Sequence, residues 1–343
     1  MHGCALAFEL AGRGAEVVVV ERGVVGAEAS TAAAGMLAPT AEAWKHGASA
    51  TALGIGRASL RQYPAWLSRV EAASGCRVPL HLTGVVVEGA NSGSAVAEDG
   101  ARHLTATELV AIEPSLTMTE STLVTGEGWL DPRVLLPAVH SAARAGGASF
   151  VSGEVVAVSE GGITLRREGA EDRLAGRIVI CAGAWTACVP GLERLPVRPI
   201  RGQMLSLRPS GPSPSRVVFC TGPVGSGYIV PRDDGRVLVG STMEEVGFER
   251  GVTAAGVSTM LAAAVHAWPG LAGAEVLEAW SEFRPATPDG LPLLGEWNGV
   301  WIATGHHRNG VLLAPFTADL MAAAMLEGAP VDPTLAPGRF ADR

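Results

Sequence analysis

Residues Gly3–Glu21, GCALAFELAGRGAEVVVVE, decide the fold class. Gly3–Arg13 reads as a helix in which Gly3, Ala5 and Ala7 are small enough to let it lie close to a sheet. Gly14 reads as its stop, because glycine tolerates the left-handed backbone that ends helices. Glu16–Glu21, EVVVVE, is a short β-branched run and reads as a strand buried on both faces. Helix, turn, strand and terminal acid form the back half of a dinucleotide-binding βαβ unit. Of the front half, an apolar strand running into G-x-G-x-x-G, only the last glycine is present, as Gly3, after Met1 and His2 in the variable positions. The expectation is a chain that starts one strand late, by roughly a dozen residues for an intact strand and glycine turn. On these residues alone, Glu21 reads equally well as a ribose-binding acid and as a solvated turn residue.

Composition agrees with a large, well-packed folded chain. The 343 residues allow two domains, and 48% hydrophobic against 17% charged residues excludes a disordered chain. Glycine (44) and proline (22) imply many tight turns. The net charge of −8, with no basic stripe, argues against a nucleic-acid partner. The cysteines Cys4, Cys76, Cys181, Cys188 and Cys220 are odd in number and form no CxxC pair, so free thiols in a reducing cytosol are expected rather than disulfides or metal. No run of eighteen apolar residues and no signal-peptide pattern occurs, which gives a cytoplasmic reading without a membrane span.

Further along, Ala58–Ala73 and Pro137–Gly146 read as helices, and Leu82–Glu88, Val155–Ser159 and Arg177–Cys181 as strands. From Pro196 to Phe283 short alternating runs, Gln203–Arg208, Arg216–Cys220, Gly227–Pro231 and Arg236–Ser241, predict an antiparallel sheet, followed by a helix over Val257–Ala267. Pro209–Ser215, PSGPSPS, reads as a surface loop. Gly299–Ala303 is a last buried strand and Gly310–Leu326 a final helix. The fold class is α/β with an α+β part, in two interleaved domains.

Seven phrases in order resemble the glycine oxidase family of thiamine biosynthesis, within the D-amino acid oxidase superfamily. They are Ser30–Ala38 (STAAAGMLA), Val179–Trp185 (VICAGAW), Val197–Leu205 (VRPIRGQML), Tyr228–Arg232 (YIVPR), Val239–Met243 (VGSTM), Phe283–Gly290 (FRPATPDG) and Gly305–Pro315 (GHHRNGVLLAP). The resemblance implies an FAD-binding Rossmann-like domain from 1–79, 126–195 and 286–343, lacking its first strand, and a substrate domain from 80–125 and 196–285. It implies non-covalent FAD held by Gly3, Glu21, Arg22, Ala33, Ala34, Gly35, Met36, Val155, Ala182, Gly183 and Trp185. Gly305, His306, His307, Arg308, Asn309, Gly310, Val311 and Leu312 would lie over the flavin's pyrimidine end. Arg284 matches the family's carboxylate-binding arginine, Tyr228 a substrate-holding hydroxyl, Met243 a pocket wall and Arg308 an arginine near the pocket mouth. A planar guanidinium suits a carboxylate because it donates two parallel hydrogen bonds. Without the resemblance, Arg284 reads as an ion-pair partner of Glu282, and Arg308 as a pair for some other acid.

The implied reaction passes a hydride from the substrate Cα to the flavin; the imine hydrolyses to a keto acid (glyoxylate from glycine) and ammonia, and dioxygen becomes hydrogen peroxide. Two departures bear on the pocket: His307 replaces an aromatic residue, and small Ser226 stands where one kind of member has histidine. The pair His306-His307 invites a metal, but no further ligand at suitable spacing is evident. Three alternatives stay open: a sarcosine or D-amino acid oxidase or dehydrogenase, a truncated product that does not retain FAD, and a nicotinamide dehydrogenase. Trp129–Arg133, WLDPR, resembles a family segment to which no chemistry is assigned. Tetramers occur in the family; nothing in this sequence decides the oligomeric state.

Overall fold

The computed structural model describes residues 1–89 and 100–341. The first helix spans His2–Gly12, and Gly14 follows it at φ +85°. Everything from Cys4 to Ala11 is buried, because the helix is clamped between Pro132–Ala145 and Ala314–Glu327. Ala5 and Ala7 make that close approach possible, and Phe8 fills the space beside Leu135 and Val139. One charge goes in with them: Glu9 is 3% exposed and takes both guanidinium nitrogens of Arg69, at 2.6 and 3.1 Å.

The strand after this helix is Val18–Glu21, parallel to Ser149–Ser152 with Val19 opposite Phe150. Burial on both faces is not what it shows, since Val18 is 46% exposed and the rest partly so. Among the described residues this strand pairs on one edge only, and Val18–Val20 line a large cavity. Across that cavity, Val179–Ile180 likewise pairs on one edge, parallel to Val300–Thr304. This strand is shorter than the expected Arg177–Cys181. The final helix begins at Ala314 rather than Gly310, because Pro315 suits a first helical turn and the preceding residues form a 3₁₀ turn, His307–Asn309.

The second layer is an eight-stranded sheet in the order Glu275–Ala286, Arg198–Arg208, Val237–Gly240, Gly225–Pro231, Val217–Gly222, Val85–Glu88, Glu120–Val124, Ala101–Thr105. It is not wholly antiparallel as expected: Val217–Gly222 runs parallel to Val85–Glu88. The parallel pair arises because Val85–Glu88 comes from a distant stretch of chain and not from a neighbouring hairpin. One face is covered by helix Ala254–Ala267, whose Met260, Ala263 and Ala264 pack on Leu205, Val218 and Val239. In the longest pairing, Ile200 faces Arg284 and Gly202 faces Glu282. A small meander, Glu154–Ser159, Gly162–Arg167 and Ala170–Ala175, completes the fold. Its last two strands, GITLRR and AEDRLA, escaped sequence reading because neither carries a sustained apolar alternation.

Helix Ala50–Ser74, longer than the predicted 58–73, carries the packing to the functional end of the molecule. Its Tyr63 is fully buried and donates its hydroxyl to the Val311 carbonyl at 2.5 Å. Ser59 does the same for Leu312 at 2.6 Å. Tyr63→Phe removes one of two donors to the Val311 carbonyl, which keeps the Ala314 N–H at 3.1 Å. We expect a loss of about 0.5–1.5 kcal/mol, read as a lower urea midpoint at unchanged slope; an unchanged midpoint contradicts this account.

Candidate active site

One cavity of about 940 Å³ collects most of the sequence-selected residues. Gly3, Glu21, Arg22, Ala33, Ala34, Gly35, Met36, Val155, Ala182, Gly183, Trp185, Tyr228, Arg284 and His306 to Val311 line it. Three do not. Leu312 is core, Gly305 turns at φ +77° behind the wall, and Met243 is 56% exposed with its sulfur 3.4 Å from Arg308.

The Ala33–Met36 loop has its shape for a packing reason. Gly35 sits at φ +78°, and a Cβ there would lie 2.0 Å from the Leu130 carbonyl oxygen. Met36 then pairs with Trp129, and buried Arg232 stacks over the Trp129 ring while donating to the Ala34 carbonyl at 2.7 Å. Burial lowers the Arg232 pKa to about 10, and the Asp131 carboxylate at 3.5 Å opposes the shift. Three separate phrases, STAAAGMLA, WLDPR and YIVPR, are therefore one contact. Trp129–Arg133 gains a structural role that its sequence did not disclose.

At the far end lies Arg284. Its guanidinium is buried and donates to the Thr242 carbonyl at 3.0 Å and the Ser241 hydroxyl at 2.7 Å, both neutral acceptors. Room for it exists because Gly202 has no side chain: a Cβ there would lie 2.3 Å from Arg284 Nη1. The ion pair with Glu282 that the sequence allows does not form. Glu282 instead pairs with Arg250, which also holds Glu28 at 2.5 Å. Burial and the neighbouring Glu28 raise Glu282 to about 7, against the pull of Arg250. Burial likewise lowers the Arg284 pKa. Tyr228 is a further hydrogen-bond partner, and among the described residues the Glu42 carboxylate acts on Arg284 only through space, so the cation has less compensation than buried charges normally have. Tyr228, 5% exposed, lines the same end.

Arg308 behaves differently. It holds Glu42 through Nε at 2.8 Å and Nη2 at 3.3 Å. Burial would raise Glu42, but the charge and hydrogen bonds of Arg308 outweigh it and hold the carboxyl below its usual range. The sequence offered no sign of Glu42, a lone acid in the helix Pro39–His46. The histidines nearby are neutral. Burial depresses His306 and His307 to about 3 and His46 to about 4, helped at His307 by Arg284 and Arg308 and at His46 by Arg308. His307 also sits at φ +47°, a conformation rare outside glycine and concentrated at functional sites. Among the described residues no group of three or more His, Cys, Asp or Glu could hold a metal, and no helix is long and apolar enough to cross a membrane.

Parallel sheet edges around a long cavity, with an uncompensated cation at one end, define an α/β enzyme that works on a bound cofactor. The chain belongs to the DAO family of FAD dependent oxidoreductases, matched over residues 1–324. It is 32% identical to a glycine oxidase of Geobacillus kaustophilus, over 93% of this chain and 89% of that one. The crystal structure of glycine oxidase from that organism superposes with a TM-score of 0.87 at 30% identity, covering 98% and 96% of the two chains. The bifunctional protein ThiO/ThiG of Nostoc sp. is 35% identical over 95% of this chain, which spans about half (51%) of that relative's length. An iminodiacetate oxidase of Chelativorans sp. superposes at TM-score 0.82 with 27% identity, covering 98% and 96%.

The residues present fit FAD. The cavity has the volume of a ligand site, about 300–1,000 Å³, and reaches from Glu21 to Arg284. Gly183, at φ +55°, borders open space, since a Cβ there would meet no atom within 4 Å. Helix His2–Gly12 opens on the cavity with no side-chain cap, leaving first-turn N–H groups free for phosphate.

The buried neutral histidines set an acid limit. Unfolding returns each to its ordinary value of about 6.5, so below that pH the unfolded chain binds more protons. Stability is expected to fall as pH drops from about 6.5 towards 4, with a shallower fall in His307→Asn. Urea midpoints at three pH values check it; a pH-independent midpoint overturns it.

Proposed function

We propose that this protein oxidises glycine, or a comparably small amine carrying one carboxylate, to the imine, which hydrolyses to the keto acid (glyoxylate from glycine) and ammonia. The observation that carries this reading is Arg284, a buried guanidinium at the cavity end whose hydrogen-bond partners among the described residues are the Thr242 carbonyl and the Ser241 and Tyr228 hydroxyls, and not a carboxylate. A substrate carboxylate supplies the missing negative charge, and the planar fork orients it. FAD, when bound, supplies the two-electron acceptor, and dioxygen is the expected terminal oxidant. Arg284 and the Tyr228 hydroxyl position the substrate. Neutral His46 and His307 add no cation to compete for the carboxylate. The likeness to relatives named glycine oxidase supports the same substrate. By this reading, 1–79, 126–195 and 286–343 hold the cofactor and 80–125 and 196–285 hold the substrate.

Purified protein carrying FAD should lose its yellow colour when glycine is added without oxygen and regain it in air, with hydrogen peroxide formed. Protein that carries FAD but does not bleach with glycine, sarcosine or D-alanine removes the proposal. In Arg284→Lys the charge remains but the fork is lost. Its kcat/KM for glycine should fall by about 10²-fold, corresponding to about 3 kcal/mol of charge-assisted hydrogen bonding. A fall of less than threefold would mean that Arg284 does not hold the carboxylate.

A further inference from the structure

We propose that Glu42 determines specificity by occupying Arg308, so that the site seats one carboxylate and rejects a second. This rests on the reading of Arg284 as the carboxylate seat. The cavity contains two buried arginines, Arg284 and Arg308, close enough that each disfavours the other's charge. Two guanidiniums in one pocket would suit a dicarboxylate. They are not equivalent, however. Arg284 donates to neutral oxygens, whereas Arg308 is already bound at two nitrogens by Glu42, with both side chains nearly buried at 13% and 11% exposure. Among the described residues, the hydrogen-bond partner of the remaining edge of Arg308, at Nη1, is the Met243 thioether at 3.4 Å, a weak acceptor. With Glu42 ionised, the pocket carries one uncompensated positive charge, and one carboxylate balances it. A second carboxylate would face Glu42 directly, and like charges in a desolvated site repel strongly.

The position of Glu42 is built rather than incidental. It lies in the first turn of Pro39–His46, and that turn is clamped by a second buried acid. Glu127, 3% exposed, accepts from the Thr40 amide at 2.6 Å and the Ala41 amide at 3.1 Å. The other charged and titratable groups facing Glu42 among the described residues are His46 and His307, both neutral, and Arg284. None can take over the hold on Arg308: the histidines carry no charge at neutral pH, and Arg284 is itself a cation.

Glu42→Gln keeps the side-chain shape and a carbonyl acceptor for Arg308 but removes the charge. The ratio of kcat/KM for iminodiacetate to that for glycine should rise by about tenfold or more, the worth of one added charge-assisted hydrogen bond. In parallel, the Kd of malonate relative to acetate, read from the visible spectrum of the bound flavin, should fall by a similar factor. Glu42→Gln combined with Arg308→Leu should lose both gains. Wild-type protein that already binds malonate as tightly as Glu42→Gln, or variants with unchanged ratios, overturns the inference. The binding ratio also separates two failures: if glycine is not a substrate, the proposed function falls while malonate against acetate still tests Glu42.

Discussion

A guanidinium taken out of water without an acid beside it is the constraint on which this site is organised. Burying a charge costs several kcal/mol even after relaxation, and Arg284 offsets it with the Thr242 carbonyl, the Ser241 hydroxyl and Tyr228 rather than with an acid in contact. Those acceptors come from the segment after strand Val237–Gly240, while the arginine comes from strand Glu275–Ala286. The two are brought together by the intervening strand Arg198–Arg208, which pairs with both. Gly202 on that strand leaves the space the guanidinium fills. The eight-stranded sheet thus does more than shield a core. Its register sets where an anion is wanted.

Several other buried acids are paired with arginines: Glu9 takes Arg69, Glu42 takes Arg308 and Glu113 takes Arg216, while nearer the surface Arg250 bridges Glu28 and Glu282. Each pair lowers the cost of burial for its members. The effect at the site is contrast: one arginine is left for a ligand because its neighbour is already bound. Such pairs also fix backbone, as where Arg232 holds the Ala34 carbonyl and Glu127 the start of Pro39–His46. The walls of the cavity are therefore held by polar contacts as well as by packing.

The cofactor side rests on a different physical device. Val18–Glu21 and Val179–Ile180 each pair on one edge among the described residues, and both border the cavity. The side chains of Val18–Glu21 are consequently more exposed than the all-valine run suggests, with Val18 at 46%. β-Branching reports a preference for extended backbone, but burial depends on what stands beside the strand. The same limit explains the sheet. Alternation revealed the strands between 203 and 241, yet nothing local could show that Val85–Glu88 joins them in parallel, since pairing partners lie far apart in sequence.

By itself the sequence determined the helix and strand of Gly3–Glu21, the α/β class, and the run of phrases that placed Arg284, Tyr228 and the Ala33–Met36 loop in one site. These were legible because backbone preference, hydrophobic period and small residues at close approaches are local properties. What only the tertiary structure decided was the pairing of charges. The sequence set Glu282 beside Arg284, two positions away, but Glu282 is held by Arg250, and among the described residues Arg284 has no acid in salt-bridge contact. Glu42 and Arg308 are 266 positions apart and form a buried pair in the cavity wall. Electrostatic compensation acts through space at a few ångströms, and the distance along the chain carries no information about it.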